Sequence, residues 1–253
     1  MAFGMFCTIP LQKFWDDAGA KHVMPFLPLV GVVIGAIWWI LADIFHFLLW
    51  PQVPDALSAG ILLLIPVVLA GLIHLDGFMD TSDAILSRRP IEDKMRILKD
   101  PNTGAFAVIM VVFLFILKYA AFYSIIDEKG AYLATGLRFS LLLIIPILSR
   151  CCSAMSILCI RPMTNDGYAS MFRPDFAAPH RIITVIVAVA AFALAWFLTG
   201  PLGLIVAGVV VLGYAAAMLC ALKGFEFKGV SGDLAGFSLV VSELCGLVAL
   251  AIV

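Results

Sequence analysis

Apolar residues run almost unbroken through seven stretches, about 26 to 49, 56 to 75, 105 to 126, 131 to 160, 180 to 199, 201 to 222 and 234 to 253. A helix needs about 20 mostly apolar residues to cross the hydrocarbon core, so the pattern predicts about seven transmembrane helices. The fourth stretch is too long for one perpendicular crossing and must tilt, kink near Pro146 or extend past the bilayer as helix. Gly31, Gly35, Pro66, Pro146, Gly208 and Gly213 fall inside the spans, where they permit close helix packing or kinks. The expected architecture is an all-α, polytopic integral membrane helical bundle, one domain over residues 1–253, with no convincing internal repeat.

Composition strengthens this picture, because 63% hydrophobic residues and a mean hydropathy of +1.10 exclude an ordinary globular protein. The net charge of −1 and the lack of any long like-charge block give no sign of a nucleic-acid partner. The N-terminal stretch lacks the basic and apolar regions of a cleaved signal peptide and is expected to stay in the mature chain. Six cysteines without a CxxC pair point to small-hydrophobe packing, not zinc or a disulfide frame.

Charge orients the bundle. Lys and Arg number two before the first span and then none, five, one, three (with Arg181 at a span edge), none and two in successive connections. By the positive-inside rule the N-terminus is cytoplasmic, in a cytoplasmic (inner) membrane. The long polar loops 76–104, 161–179 and 223–233 then all emerge on the cytoplasmic face, where they can build one site. Lys118, Arg138 and Arg150 are left inside spans.

The chemistry concentrates between His74 and Phe106, where 33 residues carry six of the 17 acids and five of the 16 basic residues. Asp76, Asp80 and Asp83 are spaced i, i+4, i+7, a helical stripe within roughly 60°. Such crowding calls for a counter-charge, and an all-oxygen set suits Mg²⁺, or Mn²⁺, over zinc. The alternative is a solvated face, but these acids start at the membrane edge, where ionised groups tend to be functional. His74 lies about 200° round the same helix from Asp76 and should not share a metal with it.

Arg88, Arg89, Lys94, Arg96 and Lys99 follow, then Asp100, Pro101, Asn102, Thr103 and Gly104. Carboxylates for a metal beside cations for phosphate oxygens are what phosphoryl transfer requires. The basic residues could instead only enforce topology or contact anionic lipid. The third loop, KGFEFKGVSGDLAGF, brings Gly229, Ser231, Gly232, Asp233 and Gly236 to the start of the last span, a ready anion site. Asp233 is either a charge complementing the helix dipole or a further metal or nucleophile contact. The middle loop, with Arg161, Asn165, Asp166, Tyr168 and Arg173, is a recognition lid or an ordinary connection.

Two charges fall at mid-membrane. Glu243 lies ten residues after Asp233, about 15 Å into the last span, and Arg150 lies ten residues before the end of the fourth, which runs the other way. Buried charges at such depth normally pair, so Arg150 and Glu243 are expected to form an ion pair. The alternative puts Arg150 near the interface, on substrate phosphate.

HLDGFMDTSDA, KDPNTGAF and GVSGDLAG, in that order between spans, resemble the cobalamin synthase family, the adenosylcobinamide-GDP ribazoletransferases. The opening FCTIP and PLVGVVIGA, and the pairs Lys118, Tyr119 and Ser149, Arg150, extend the resemblance over nearly the whole chain. Ala84, Ala107 and Ser231 depart from the family's usual residues, and the N-terminus is short, but no carboxylate or cation is lost.

The resemblance implies a Mg²⁺-dependent membrane enzyme that joins α-ribazole, or its 5′-phosphate, to adenosylcobinamide-GDP. It yields adenosylcobalamin, or its phosphate, and GMP. On this reading the nucleoside 5′-hydroxyl attacks the cobinamide-linked phosphorus while metal held by Asp76, Asp80 and Asp83 neutralises the diphosphate, and one carboxylate takes the proton. Lys99, Asp100, Asn102, Arg88, Arg96, Ser231, Gly232 and Asp233 are the candidate phosphate and substrate contacts. Partners are these substrates and membrane lipids, and association into a homo-oligomer is left open. A CDP-alcohol phosphotransferase would need a different order of aspartates after Asp76 and Gly77, and a transporter would need polar groups along a transmembrane path.

Overall fold

The structure is a computed structural model that describes residues 1–8, 17–49, 52–126, 132–165, 167–174 and 177–253. Asp166, part of the middle loop considered above, lies outside the described residues. Eight principal helices carry the fold: α1 (Leu27–Asp43), α2 (Asp55–Leu69), α3 (Ile73–Leu86), α4 (Ala105–Ile126), α5 (Leu141–Cys159), α6 (Ala178–Thr199), α7 (Pro201–Gly224) and α8 (Gly232–Ile252). Among the described residues, six helical segments are long and apolar enough to cross a membrane, including Met24–Leu49, which contains α1, and Gly136–Cys159, which contains α5. The bent pair α2 and α3 makes a seventh if counted as one span. Leu212 and Phe197 lie 70% and 85% exposed on α7 and α6, the apolar surface a bilayer would cover.

The second apolar stretch does not run straight to Leu75. It breaks between α2 and α3, which meet at 93°. Gly71 and Leu72 both take left-handed backbone angles, with φ of 70° and 66°, so the turn is made inside the apolar run, where hydropathy gives no warning. Upstream, Pro66 has no N–H for the Leu62 carbonyl, and the Trp38 indole donates to that oxygen at 2.7 Å instead. Ile73, His74 and Leu75 therefore belong to the acid-bearing helix.

The over-long fourth stretch divides at Ser140, between a short helix Tyr132–Phe139 and α5. Pro146 sits within α5 without ending it. This helix is the axis of the bundle, buried along almost its whole length. Gly31 and Gly35 bring α1 into backbone contact with it: an added Cβ would lie 2.5 Å from the Pro146 carbonyl oxygen at Gly31 and 2.7 Å from that of Leu143 at Gly35. Gly31→Val is expected to destabilise the bundle by about 1–3 kcal/mol, as overpacking does. Thermal unfolding in detergent measures it, with Gly208→Ala as control because nothing lies within 4 Å of that position's Cβ.

Candidate active site

The acid helix α3 lies against the start of α8 because neither has a side chain in the way. A Cβ on Gly77 would sit 2.8 Å from Asp233 Cα, and one on Gly236 would sit 3.2 Å from the His74 carbonyl oxygen. Phe78 and Phe237 stack beside this contact, 5.6 Å apart and 10° from parallel. The consequence is electrostatic. Asp80 lies in the field of Asp76, Asp233 and Asp83, so four carboxylates share one region. Among the described residues, no three His, Cys, Asp or Glu side chains stand together as a ready-made metal nest. The Asp83 carboxylate lies against Gly104, just before α4 begins.

Ser231 and Asp233 divide their work. The Ser231 hydroxyl accepts from the Leu234 N–H at 3.2 Å, capping α8, and donates to Asp233 Oδ2 at 3.3 Å. Gly232 has open space where a Cβ would stand. The middle and third loops are joined by backbone: Val230 N–H donates to the Arg161 carbonyl and Met163 N–H to that of Val230, both at 2.9 Å. Gly229, at φ 138°, passes so close to Arg161 and Pro162 that a side chain would collide with them.

Two cavities meet here. The smaller, about 180 Å³, has Lys99, Thr164 and Ser231 in its wall, while the larger, about 240 Å³, has Asp76, Phe6, Phe172 and Ile157. Tyr168, Ala169, Gly232 and Asp233 line both. All three polar loops thus contribute to one place.

The other basic and polar candidates are placed differently. Arg96 is exposed and pairs with Asp93 at 3.3 Å. Arg88, also exposed, holds a left-handed backbone at φ 53° just past α3. Asp100 accepts from the Asn102 N–H at 2.9 Å and its side-chain amide at 2.8 Å, which holds its carboxyl below the usual carboxylate range. That pair shapes the turn before α4. Lys94 donates to the Gly224 carbonyl at 2.8 Å, closing the end of α7.

Beneath the acids, Arg150 donates to Glu243 Oε1 at 2.8 Å, and both are buried. Ser149 donates to the same oxygen at 3.2 Å, and Lys118 Nζ lies 3.9 Å from Oε2. The sequence leaves Lys118 inside a span, and the structure supplies its partner. The doublets Lys118, Tyr119 and Ser149, Arg150, part of the resemblance, supply three members of this cluster. His74 stands between this cluster and the larger cavity, whose wall it shares with Asp76: it is buried, stacks 5.8 Å from Phe6 at 5°, and its Nε2 has no hydrogen-bond partner.

A bundle of apolar helices long enough to cross a membrane, with carboxylates grouped beside two cavities above a buried charge cluster, has the parts of a membrane-embedded enzyme site. The profile of the family described as Cobalamin-5-phosphate synthase matches residues 1–251, and the chain belongs to that family. The adenosylcobinamide-GDP ribazoletransferase of Clostridium botulinum (strain Alaska E43 / Type E3) is 37% identical over 251 residues, covering 98% of this chain and 94% of its own. The protein of the same name from Clostridium perfringens (strain ATCC 13124) is 36% identical over 254 residues, 100% of this chain and 96% of that one. The Geobacillus kaustophilus protein of that name is 30% identical over 247 residues, at 93% and 88% coverage. No solved structure matches the chain.

Proposed function

We propose that this protein transfers the cobinamide phosphate of adenosylcobinamide-GDP to α-ribazole or its 5′-phosphate, releasing GMP, at the cytoplasmic face of the inner membrane. The observation that carries the reading is the backbone contact of α3 with α8, which sets Asp76 and Asp233 in the wall of the larger cavity and Asp233 in that of the smaller, with Asp80 in the field of both. A phosphoryl transfer needs positioning and charge neutralisation more than covalent help from the protein. Lys99 at the smaller cavity is set to bind phosphate oxygens, beside the capped start of α8.

The attacking group follows from the product. The family's description names a cobalamin 5-phosphate, and an acceptor already phosphorylated at its 5′ position has no 5′-hydroxyl to offer. A ribose ring hydroxyl is therefore the nucleophile, in place of the 5′-hydroxyl expected from the sequence. Its oxygen forms a bond to the cobinamide-linked phosphorus as the bond from that phosphorus to the bridging oxygen breaks. GMP leaves with the electron pair, and the hydroxyl proton passes to one of the carboxylates.

The donor set fits magnesium. Its oxygens are all carboxylate, and Mg²⁺ commonly binds through one or two carboxylates plus substrate phosphates, so no nest of three protein ligands is required. Asp76, Asp80 and Asp83, with Asp233 opposite, are the residues that would hold it. Bound there, it supplies neutralisation of the diphosphate. Cytoplasmic placement of the loops is supported by the distribution of Lys and Arg.

Purified protein given adenosylcobinamide-GDP, α-ribazole and Mg²⁺ is expected to release one GMP per corrinoid product formed. No GMP with α-ribazole or its 5′-phosphate, in Mg²⁺ or Mn²⁺, overturns the reading.

A further inference from the structure

The acceptor's base needs a seat, and we infer that the larger cavity, walled by Phe6, Ile157 and Phe172, holds it and selects a flat, apolar benzimidazole-type ring over a purine. This deepens the reading above and rests on it. At about 240 Å³ the cavity is below the roughly 300–1,000 Å³ of sites for drug-sized ligands. It has room for one ring system and not for a corrinoid.

Its walls are those of a stacking site. Phe172 is buried, meets Phe6 at 6.2 Å and 58°, and is backed by Tyr168, 6.1 Å away and 14° from parallel. Phe6 lies parallel to His74. Two buried polar side chains, Ser153 and His74, interrupt this apolar lining, and His74 Nε2 has no hydrogen-bond partner. A benzimidazole nucleoside offers one free ring nitrogen to such a lining. A purine carries further ring nitrogens and exocyclic groups, whose burial without partners is unfavourable.

Position supports the same occupant. Asp76, Gly232 and Asp233 line the cavity too, and Gly232 and Asp233 also line the chamber that holds Lys99. A base seated among the phenylalanines puts its ribose beside the carboxylates, with the phosphate chamber beyond. The N-terminal helix Ala2–Phe6 supplies part of the wall, so it is a component of the site.

The test is steady-state kinetics on Phe172→Ala and Phe6→Ala, with Phe172→Leu as the milder variant should alanine prevent folding. Loss of one base-stacking ring is expected to raise KM for α-ribazole about 5- to 150-fold, leave KM for adenosylcobinamide-GDP within about twofold, and narrow the preference for α-ribazole over an adenine nucleoside. A rise in the KM for adenosylcobinamide-GDP instead, or no change in either, overturns the assignment. Equilibrium dialysis with free benzimidazole separates this inference from the reaction itself. Binding by the wild type that is lost in Ile157→Trp supports the seat even if no GMP is released, and no saturable binding overturns it.

Discussion

Asp76→Asn, Asp80→Asn and Asp83→Asn are each expected to lower turnover by at least about 10²- to 10³-fold, the usual loss when one preorganised stabiliser of transition-state charge is removed. The substitution keeps size and shape, so the backbone contact of Gly77 with Asp233 should persist and the variants should elute and melt like the wild type. What changes is the charge facing the diphosphate. Part of the loss should be recovered by raising Mg²⁺ if a variant still binds the ion weakly. GMP release at saturating substrate, measured across a Mg²⁺ titration, reads both effects. Near-normal turnover in any two of the three would remove the carboxylate stripe from the chemistry.

The second large effect concerns stability. Glu243→Ala leaves Arg150 and Lys118 buried near each other with no anion between them. Breaking a buried pair by deleting one partner costs about 3–5 kcal/mol, a large share of any protein's margin. The variant is expected to express poorly or melt far below the wild type in detergent. Arg150→Glu should behave alike, and the double variant Glu243→Arg, Arg150→Glu should regain part of the loss, since the exchanged charges still face each other. Single variants that melt like the wild type would show that the cluster contributes little.

Local spacing was legible wherever one helix carried the whole message. The i, i+4, i+7 acids needed only helical geometry, and counting ten residues inward sets Arg150 and Glu243 at similar depths, which the structure shows as a 2.8 Å contact. The break before α3 was not legible, because Gly71 and Leu72 turn within an unbroken apolar run. Nor were the pairings between distant segments. Phe6 and Phe172 meet across 166 residues of sequence, and each alone reads as ordinary core. Gly77 was visible only as part of a motif. Its physical task, letting Asp233 approach the acid helix, appears once the two helices are side by side. The mutual hydrogen bonds of Asp100 and Asn102 were not legible either, because turn residues and phosphate-binding residues are drawn from the same polar set.

The buried charge cluster also sets a timetable for biogenesis. Arg150 enters the bilayer on α5, but Glu243 follows 93 residues later in the chain. At about 5–20 residues per second of synthesis, the arginine waits roughly 5 to 20 s for its carboxylate. Lys118, delivered earlier still, waits longer. Throughout that interval the nascent bundle carries two cations and no anion at its centre. Helix α8 neutralises them, and the same helix, through Asp233, completes the acid cluster above. Charge compensation and the fourth carboxylate of the acid cluster therefore arrive in one insertion event, so a chain that stops short of α8 lacks both.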